Sequence, residues 1–459
     1  MRSTSAMIRV ASGAVAAAAR AGPVHAAAAS RGLSSLVPLD EEYMGSPSTM
    51  PAEPSAPVTK VSKLSNGATV ITRESGQLGA TVGVVVGSGS RDESTSQAGA
   101  SLHLEGMAYK LTEARSSIRL MRCFGVDVEN VGGSLAASRG REKMVYVSEC
   151  PTDSAGIVLS ALTESVVSPN IVPWEMTDAS AKLKEIILRR HGESTAEQVD
   201  DALHAAAFGD SYSLGKPLTP GPCKLSADGL KEFRDARYKA PGITVVGVNV
   251  PHEEFKSQAE AALEVADSSA PAARTPAKYV GGELRVKSDV GSTSVSMAFA
   301  GPAGSDASAP AYEVLGALLG ARAAAAAPSA AGFSVSYTDV GLVGVTGTCP
   351  NGEAGALAQA LASCFSGLDK ASESEISSAI ASAKVSRALK MEKPLYALLA
   401  LADSASVGAD PAKAAAALDG VSTAAVKKAA AAALKSAMSI ASVGNIAEVP
   451  SKAEIAGML

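Results

Sequence analysis

The sequence predicts an α+β fold built from two homologous domains. The segment Val295–Asp306 (VSMAFAGPAGSD) echoes Val82–Asp92 (VGVVVGSGSRD) at an offset of about 213 residues, and such self-similarity indicates two copies of one structural unit. A stretch rich in Ser, Ala and Pro at 267–278 separates the two copies. A chain of 459 residues is also longer than one hydrophobic core usually supports.

The N-terminal segment has the composition of a mitochondrial transit peptide. Its first 39 residues include four arginines and many Ala and Ser, with no acidic residue before Asp40. This composition is typical of transit peptides, and cleavage is expected between Leu33 and Ser34. Residues 34–57 contain five prolines and little periodicity, which favours an extended arm. The predicted layout is a transit peptide at 1–33, an arm at 34–57, domains at 58–266 and 283–459, and a linker at 267–282.

The first domain is predicted to open with a β-hairpin, because Asn66-Gly67 is a strong turn signal whose residues tolerate positive φ. Ser226 is expected to cap the helix that follows it, and Trp174 to anchor a helix start in the core. Predicted strands lie at 58–64, 68–73, 80–87, 134–138, 143–149 and 243–250. Predicted helices lie at 96–111, 113–124, 152–167, 173–191, 196–207 and 251–265.

The second domain restarts the same pattern of early strands followed by helices. Predicted strands lie at 283–287, 293–300, 332–338, 341–348 and 438–443. Predicted helices lie at 308–321, 353–368, 373–391, 394–406 and 421–437. The order matches the first domain, as two copies of one unit require.

Composition argues against several classes of function. Lys+Arg 41 against Asp+Glu 46 gives a net charge of -5, which disfavours a nucleic-acid partner. The five cysteines lack C-x-x-C spacing and are expected to be reduced thiols. The sequence contains neither a nucleotide-binding loop nor a nucleophile elbow, so no cofactor is expected. It also lacks a run of about 20 apolar residues, so any membrane association should run through partner proteins.

Several motifs resemble one protein family, in the family's order. They are Leu64-Ser-Asn-Gly67, Val82–Glu93, Gly99 and Leu104–Lys110. Together they resemble the opening of the mitochondrial processing peptidase family of pitrilysin-like and insulinase-like proteases. That family also includes the core proteins of the cytochrome bc1 complex, ubiquinol–cytochrome c reductase. The resemblance implies that each domain is a mostly antiparallel sheet covered by helices.

The zinc-binding motif of that family is degenerate in this chain. Active members carry His-x-x-Glu-His on a helix, which places two imidazoles and a carboxylate on one face. Aligned by Glu105, the two histidine positions fall on Leu102 and Gly106, and neither side chain binds a metal. His103 lies one residue late, about 100° around the helix, and is expected to be a packed or surface residue. Glu105 is expected to be a hydrogen-bonding residue or a relic of the general base.

A third zinc ligand in active members is a glutamate on the helix predicted at 173–191. Aligned by the Ile-Ile pair of that helix, the ligand position falls on Arg190, a permanent cation that repels zinc. Glu185 and Glu193 lie close enough in sequence to leave this alignment open. Even with one of them as a ligand, the imidazoles are missing. The expectation is therefore no catalytic residue and no metal site.

Two non-catalytic branches of the family remain. The alpha subunit of the processing peptidase also lacks zinc ligands, but it carries a glycine-rich loop that grips presequences. The corresponding segment here, 320–332, is rich in alanine, which favours helix and does not readily adopt positive φ. This departure favours the branch of core protein 2 over the alpha subunit.

The expected function is that of a structural core subunit of the bc1 complex. The resemblance implies a heterodimer with core protein 1, or a processing-peptidase beta-type subunit, and contacts with other bc1 subunits. It also implies the matrix side of the mitochondrial inner membrane. The alternatives are a presequence-binding alpha subunit and an active zinc endopeptidase, the second disfavoured by the missing ligands.

Overall fold

The structure is a computed structural model that describes residues 57–76, 79–209, 212–221, 225–406 and 417–458. The predicted transit peptide and all but the last residue of the predicted arm lie outside the described residues. The chain from Pro57 onward forms one compact unit. Within it, two sheets with their helices give the predicted α+β fold.

The first sheet has six strands, in the order β1-β2-β6-β3-β5-β4. The strands are β1 (Val58–Lys63), β2 (Thr69–Glu74), β3 (Ala80–Val86), β4 (Ser134–Arg139), β5 (Met144–Cys150) and β6 (Ile243–Val248). Asn66-Gly67 makes the predicted hairpin turn: Gly67 has φ +90°, and the Asn66 side-chain oxygen accepts a hydrogen bond from Ala68 N at 3.1 Å. All pairings are antiparallel except β2 with β6.

The helices of the first half follow the predicted order with shifted ends. They are α1 (Ala100–Met107), α2 (Ser117–Cys123), α3 (Ala155–Val167), α4 (Pro173–Glu193), α5 (Ala196–Phe208), α6 (Ala227–Arg237) and α7 (His252–Ala262). Helix α1 is shorter than predicted because it starts after Gly99 at φ 84° and ends before Ala108, whose backbone is extended. Ser226 caps α6 as predicted, since its side chain accepts a hydrogen bond from Gly229 N.

The second half repeats this architecture around a five-stranded sheet in the order β7-β11-β8-β10-β9. Its strands are β7 (Glu283–Lys287), β8 (Ser292–Gly301), β9 (Ala331–Ser336), β10 (Gly341–Pro350) and β11 (Ser439–Gly444). Its helices are α8 (Ala309–Ala326), α9 (Ala354–Ser363), α10 (Glu373–Glu392), α11 (Pro394–Ser406), α12 (Thr423–Leu434) and α13 (Lys452–Ala456). Only β7 with β11 is parallel, so both sheets are mostly antiparallel, as expected.

Each sheet is covered on one face by helices of its own half and on the other by a helix from the other half. Helix α11 packs its buried Leu398 and Leu401 on Val85 and neighbouring valines of the first sheet. In return, α5 packs Leu203 and Phe208 on the second sheet. The expectations from sequence did not include this exchange.

A buried ion cluster also joins the two halves. The Arg91 side chain is 1% exposed, and its guanidinium donates to both carboxylate oxygens of Asp339. Glu142, which also contacts Arg91, accepts hydrogen bonds from Thr338 N at 3.0 Å and from Thr338 Oγ1 at 2.7 Å. The hairpin β4–β5 therefore contacts the hairpin β9–β10 through paired charges.

Trp174 is not a core anchor, and the expectation from sequence was wrong. Its side chain is 68% exposed. On the first turns of α4 the inward face is taken by Met176 and Ala179, both buried. Because successive helical residues are 100° apart, Trp174 points away from that face.

Candidate functional site

Helix α1, which carries the degenerate motif, is held at its N-terminus by a buried carboxylate. Glu93 accepts hydrogen bonds from Gly99 N at 2.7 Å, Ser101 N at 2.8 Å and Ser101 Oγ at 2.5 Å. A carboxylate at this end accepts hydrogen bonds from otherwise free amide groups, and its negative charge interacts favourably with the positive end of the helix dipole. Burial raises the pKa of Glu93, although these hydrogen bonds and the nearby Lys216 work in the other direction. The motif helix is therefore rigidly placed.

His103 is committed to the protein's own hydrogen bonds. Its Nδ1 lies 2.8 Å from the carbonyl oxygen of Gly99, and its Nε2 lies 3.0 Å from Ser180 Oγ on α4. Because a carbonyl only accepts, Nδ1 carries the proton. Burial lowers the pKa of His103, which favours the neutral ring. His103 thus joins α1 to α4 as a packed residue.

Leu102 and Gly106, which align with the two histidines of the family motif, both lie in packed surroundings. Leu102 is buried, at 4% exposure. A Cβ added to Gly106 would lie 3.1 Å from Leu183 Cδ2 and 3.2 Å from Leu183 Cδ1. Helices α1 and α4 are therefore in close contact at Gly106, and Leu183 fills the space beside it.

The residue of α4 that faces Gly106 is Leu183, and Arg190 lies further along the same helix. Arg190 follows Leu183 by seven residues, about 10 Å along the helix axis. Its guanidinium lies 4.0 Å from a carboxylate oxygen of Glu197. Arg190 thus lies two turns beyond the contact with Gly106, and its assignment to the third ligand position stays a prediction. Glu185, just before Ile186, is exposed.

Glu105 is bound by a cation from the neighbouring strand. Arg139, at the end of β4, forms an ion pair with the Glu105 carboxylate. The same guanidinium donates to the Leu218 carbonyl oxygen at 3.0 Å and to Thr219 Oγ1 at 3.1 Å. An arginine side chain stays protonated in proteins, so the carboxylate that would act as general base is held as an ion pair.

Sequence reasoning missed both Arg139 and Leu183. The Arg139-Gly-Arg-Glu142 segment was interpreted only as a hairpin turn, and the end of β4 was not placed beside α1. Leu183 carried no signal, since a leucine on a helix is ordinarily a packing residue. Across the described part of the chain, no group of three His, Cys, Asp or Glu side chains is arranged to hold a metal ion. None of the described helices is long and apolar enough to cross a membrane.

Two family models match consecutive parts of the chain. Residues 69–219 match insulinase (peptidase family M16), and residues 224–383 match the peptidase M16 inactive domain. The chain belongs to the M16 peptidase family. The boundary between the two matches falls between α5 and α6, before the linker, and the resemblance drawn from the sequence motifs is confirmed.

Relatives within M16 include both peptidase subunits and bc1 subunits. The mitochondrial-processing peptidase subunit alpha of Solanum tuberosum is 29% identical over 268 residues, 58% of this chain and 52% of that protein. Cytochrome b-c1 complex subunit 2 of Cryptococcus neoformans is 29% identical over 389 residues, 80% of this chain and 87% of that protein. The mitochondrial-processing peptidase subunit beta of Blastocladiella emersonii is 30% identical over 322 residues, 63% and 66% respectively. The chain thus spans about half the length of the plant alpha subunit.

Proposed function

We propose that this M16 chain is a non-catalytic structural subunit of mitochondrial ubiquinol–cytochrome c reductase, of the core protein 2 type. The observation that carries the proposal is the packed contact between Gly106 and Leu183. Hydrolysis catalysed by zinc needs three protein ligands to the metal and an open coordination position for water. Leu102, Gly106 and Leu183 offer no ligand atoms, and Arg139 pairs with the remaining carboxylate, Glu105.

The match to subunit 2 of the fungal bc1 complex supports the choice of branch, because it spans most of both chains. The proposed partners are core protein 1, or a beta-type subunit, and other subunits of the bc1 complex. The proposed location is the matrix side of the mitochondrial inner membrane, with attachment through these partners. No nucleic-acid partner is proposed.

The alternative function is presequence binding as a processing-peptidase alpha subunit, which the plant relative supports. The segment 320–332 argues against it. Helix α8 continues to Ala326 and β9 begins at Ala331, which leaves a connection of four residues. A Cβ added to Gly320 would lie 3.5 Å from Gly332 N, so this segment is packed and does not form a long glycine-rich loop.

Native-gel fractionation of mitochondria from the source organism tests the choice between these functions. The chain is expected to comigrate with cytochromes b and c1 after mild detergent extraction. Migration with soluble matrix protein, free of both cytochromes, contradicts the proposal. Presequence-peptide binding by the chain with its beta-type partner, lost on altering 320–332, would favour the alternative.

Metal analysis of the purified chain tests the loss of catalysis separately. After incubation with zinc and removal of the excess, we expect much less than one zinc per chain. A Glu105→Gln variant serves as the control, because it should behave like the parent if Glu105 holds no metal. Stoichiometric zinc that this variant loses would overturn the proposal.

A further inference from the structure

The second face of each sheet is closed by a helix that belongs to the other half. We call α5 and α11 the crossing helices. On the first sheet, the face that receives α11 is formed by six buried residues: Ile71, Val85, Val145, Val147, Val246 and Val248. Four side chains of α11 are buried against this face: Ala397, Leu398, Leu401 and Ala402. Without α11, this apolar face of the first half would be exposed to water.

One contact of α11 places a leucine side chain directly over a glycine of the first sheet. Leu398 is fully buried at 0% exposure and lies over Gly83 in the middle of β3. A Cβ added to Gly83 would lie 2.9 Å from Leu398 Cδ1 and 3.0 Å from Leu398 Cδ2. A side chain at position 83 would therefore displace Leu398 from its present position. An ion pair between Lys143 and Asp403 ties α11 to the same sheet.

Helix α5 makes the reverse contact. Five of its side chains, Val199, Ala202, Leu203, Ala207 and Phe208, pack on a face of the second sheet that includes Leu342 and Val443. The carbonyl oxygen of Ala207 accepts hydrogen bonds from Val280 N at 2.8 Å and Gly281 N at 3.2 Å, just before β7. The buried Nε2 of His204 lies 2.6 Å from Tyr337 Oη in the second half.

We infer that the two halves fold only together, each supplying the helix that completes the other's core. Burial of apolar surface is the main favourable term in folding, and a large exposed apolar sheet face is an aggregation liability in a single half. The linker is therefore not what holds the halves together. This inference goes beyond the proposed function and stands or falls independently of it.

Cutting the linker of the full chain tests the inference. Residues 268–270 are exposed, so a protease recognition sequence inserted between Ser269 and Ala270 is accessible in the folded protein. After cleavage, the two pieces are expected to elute together at the size of the uncut chain, in 0.15 M and in 1 M salt. Salt screens exposed ion pairs but leaves the apolar contacts in place. Separation into two folded halves, or precipitation on cleavage, would overturn the inference.

A Leu398→Ala substitution in the cut chain measures how much the crossing helix α11 contributes to the association of the two pieces. It should weaken the association of the two pieces by at least about 30-fold, the factor that corresponds to loss of a buried leucine. Leu389→Ala on the neighbouring α10 is the matched control, because Leu389 is 56% exposed, and we expect a change below about threefold. Equal effects of both substitutions would contradict the role of α11.

A pair of substitutions in the uncut chain tests the contact between Leu398 and Gly83. Gly83→Val should lower the urea midpoint of unfolding, because the new side chain collides with Leu398. Adding Leu398→Ala should restore part of that loss, since it makes room for the valine. If the two losses simply add, Leu398 does not pack over Gly83 and the inference loses its central contact.

Discussion

The ion pair between Glu105 and Arg139 should stabilise the degenerate site, and its strength follows from its burial. The Arg139 side chain is 10% exposed and that of Glu105 is 27% exposed. A hydrogen bond to a charged group contributes about 1.5–3 kcal/mol. Because Glu105 retains some contact with water, we expect Glu105→Gln to cost about 1–2 kcal/mol of the free energy of unfolding.

A double-mutant cycle isolates the pair. The single variants Glu105→Gln and Arg139→Met and the double variant are unfolded in urea, and the coupling free energy is taken from the four stabilities. We expect a coupling of about 1–2 kcal/mol. Arg139→Met alone should cost more than Glu105→Gln, because the acceptors at Leu218 and Thr219 also lose their donor.

The pair between Lys60 and Glu74 is the matched control on the surface. Its charged atoms lie 3.8 Å apart and its side chains are 50% and 47% exposed. Exposed pairs of this kind couple by less than about 1 kcal/mol. A coupling between Glu105 and Arg139 no larger than that of the control would refute the view that burial strengthens this ion pair.

Three further predictions concern other buried or exposed groups. Burial, followed by the nearby Arg141, lowers the pKa of His204 from 6.5 to about 4, so the unfolded chain binds the extra proton first as pH falls. Relative to His204→Gln, the parent should lose about 3 kcal/mol of stability between pH 6.5 and 4, with none of this loss above pH 6.5; parallel pH profiles would contradict this. Trp174, the single tryptophan, should fluoresce at the long wavelength of a hydrated indole and be quenched by iodide; blue-shifted, protected emission in the isolated chain would contradict its exposure. Glu93→Ala should cost about 2–3 kcal/mol in urea unfolding, because two amides at the start of α1 lose their acceptor; a loss below about 0.5 kcal/mol would show that water replaces the carboxylate.

Local signals predicted the strands and most helices, but not the end of α1. Residues 108–111 have ordinary helix propensity, and the sequence pattern continued the helix to 111. In the structure Tyr109 adopts φ 62°, and its hydroxyl donates to the Ala136 carbonyl oxygen at 2.9 Å. Its ring also packs edge-on against Phe124 and Tyr146. Tertiary contacts outweigh local preference here, and no periodicity in the sequence encodes them.

The sequence pattern also could not predict that α5 and α11 each pack on the sheet of the other half. The apolar faces of α5 and α11 predict that each helix is buried, but periodicity does not say which sheet buries it. Each helix follows a long helix of its own half, so a short connection favoured packing within that half. The small residue Gly83 and the buried Leu398 decide the matter only when their distance is known.

Gly106 packs on Leu183, so a histidine introduced at position 106 would need space that the Leu183 side chain now occupies. A Cβ at position 106 would already lie 3.1 Å from the Leu183 side chain, so Leu183 must shift to admit a side chain there, and an imidazole would require a larger shift of Leu183 or of α4. Protein interiors resist such overpacking at a cost of about 1–3 kcal/mol. The contact between Gly106 and Leu183 also joins α1 to α4, so enlarging residue 106 is expected to lower the stability of the fold.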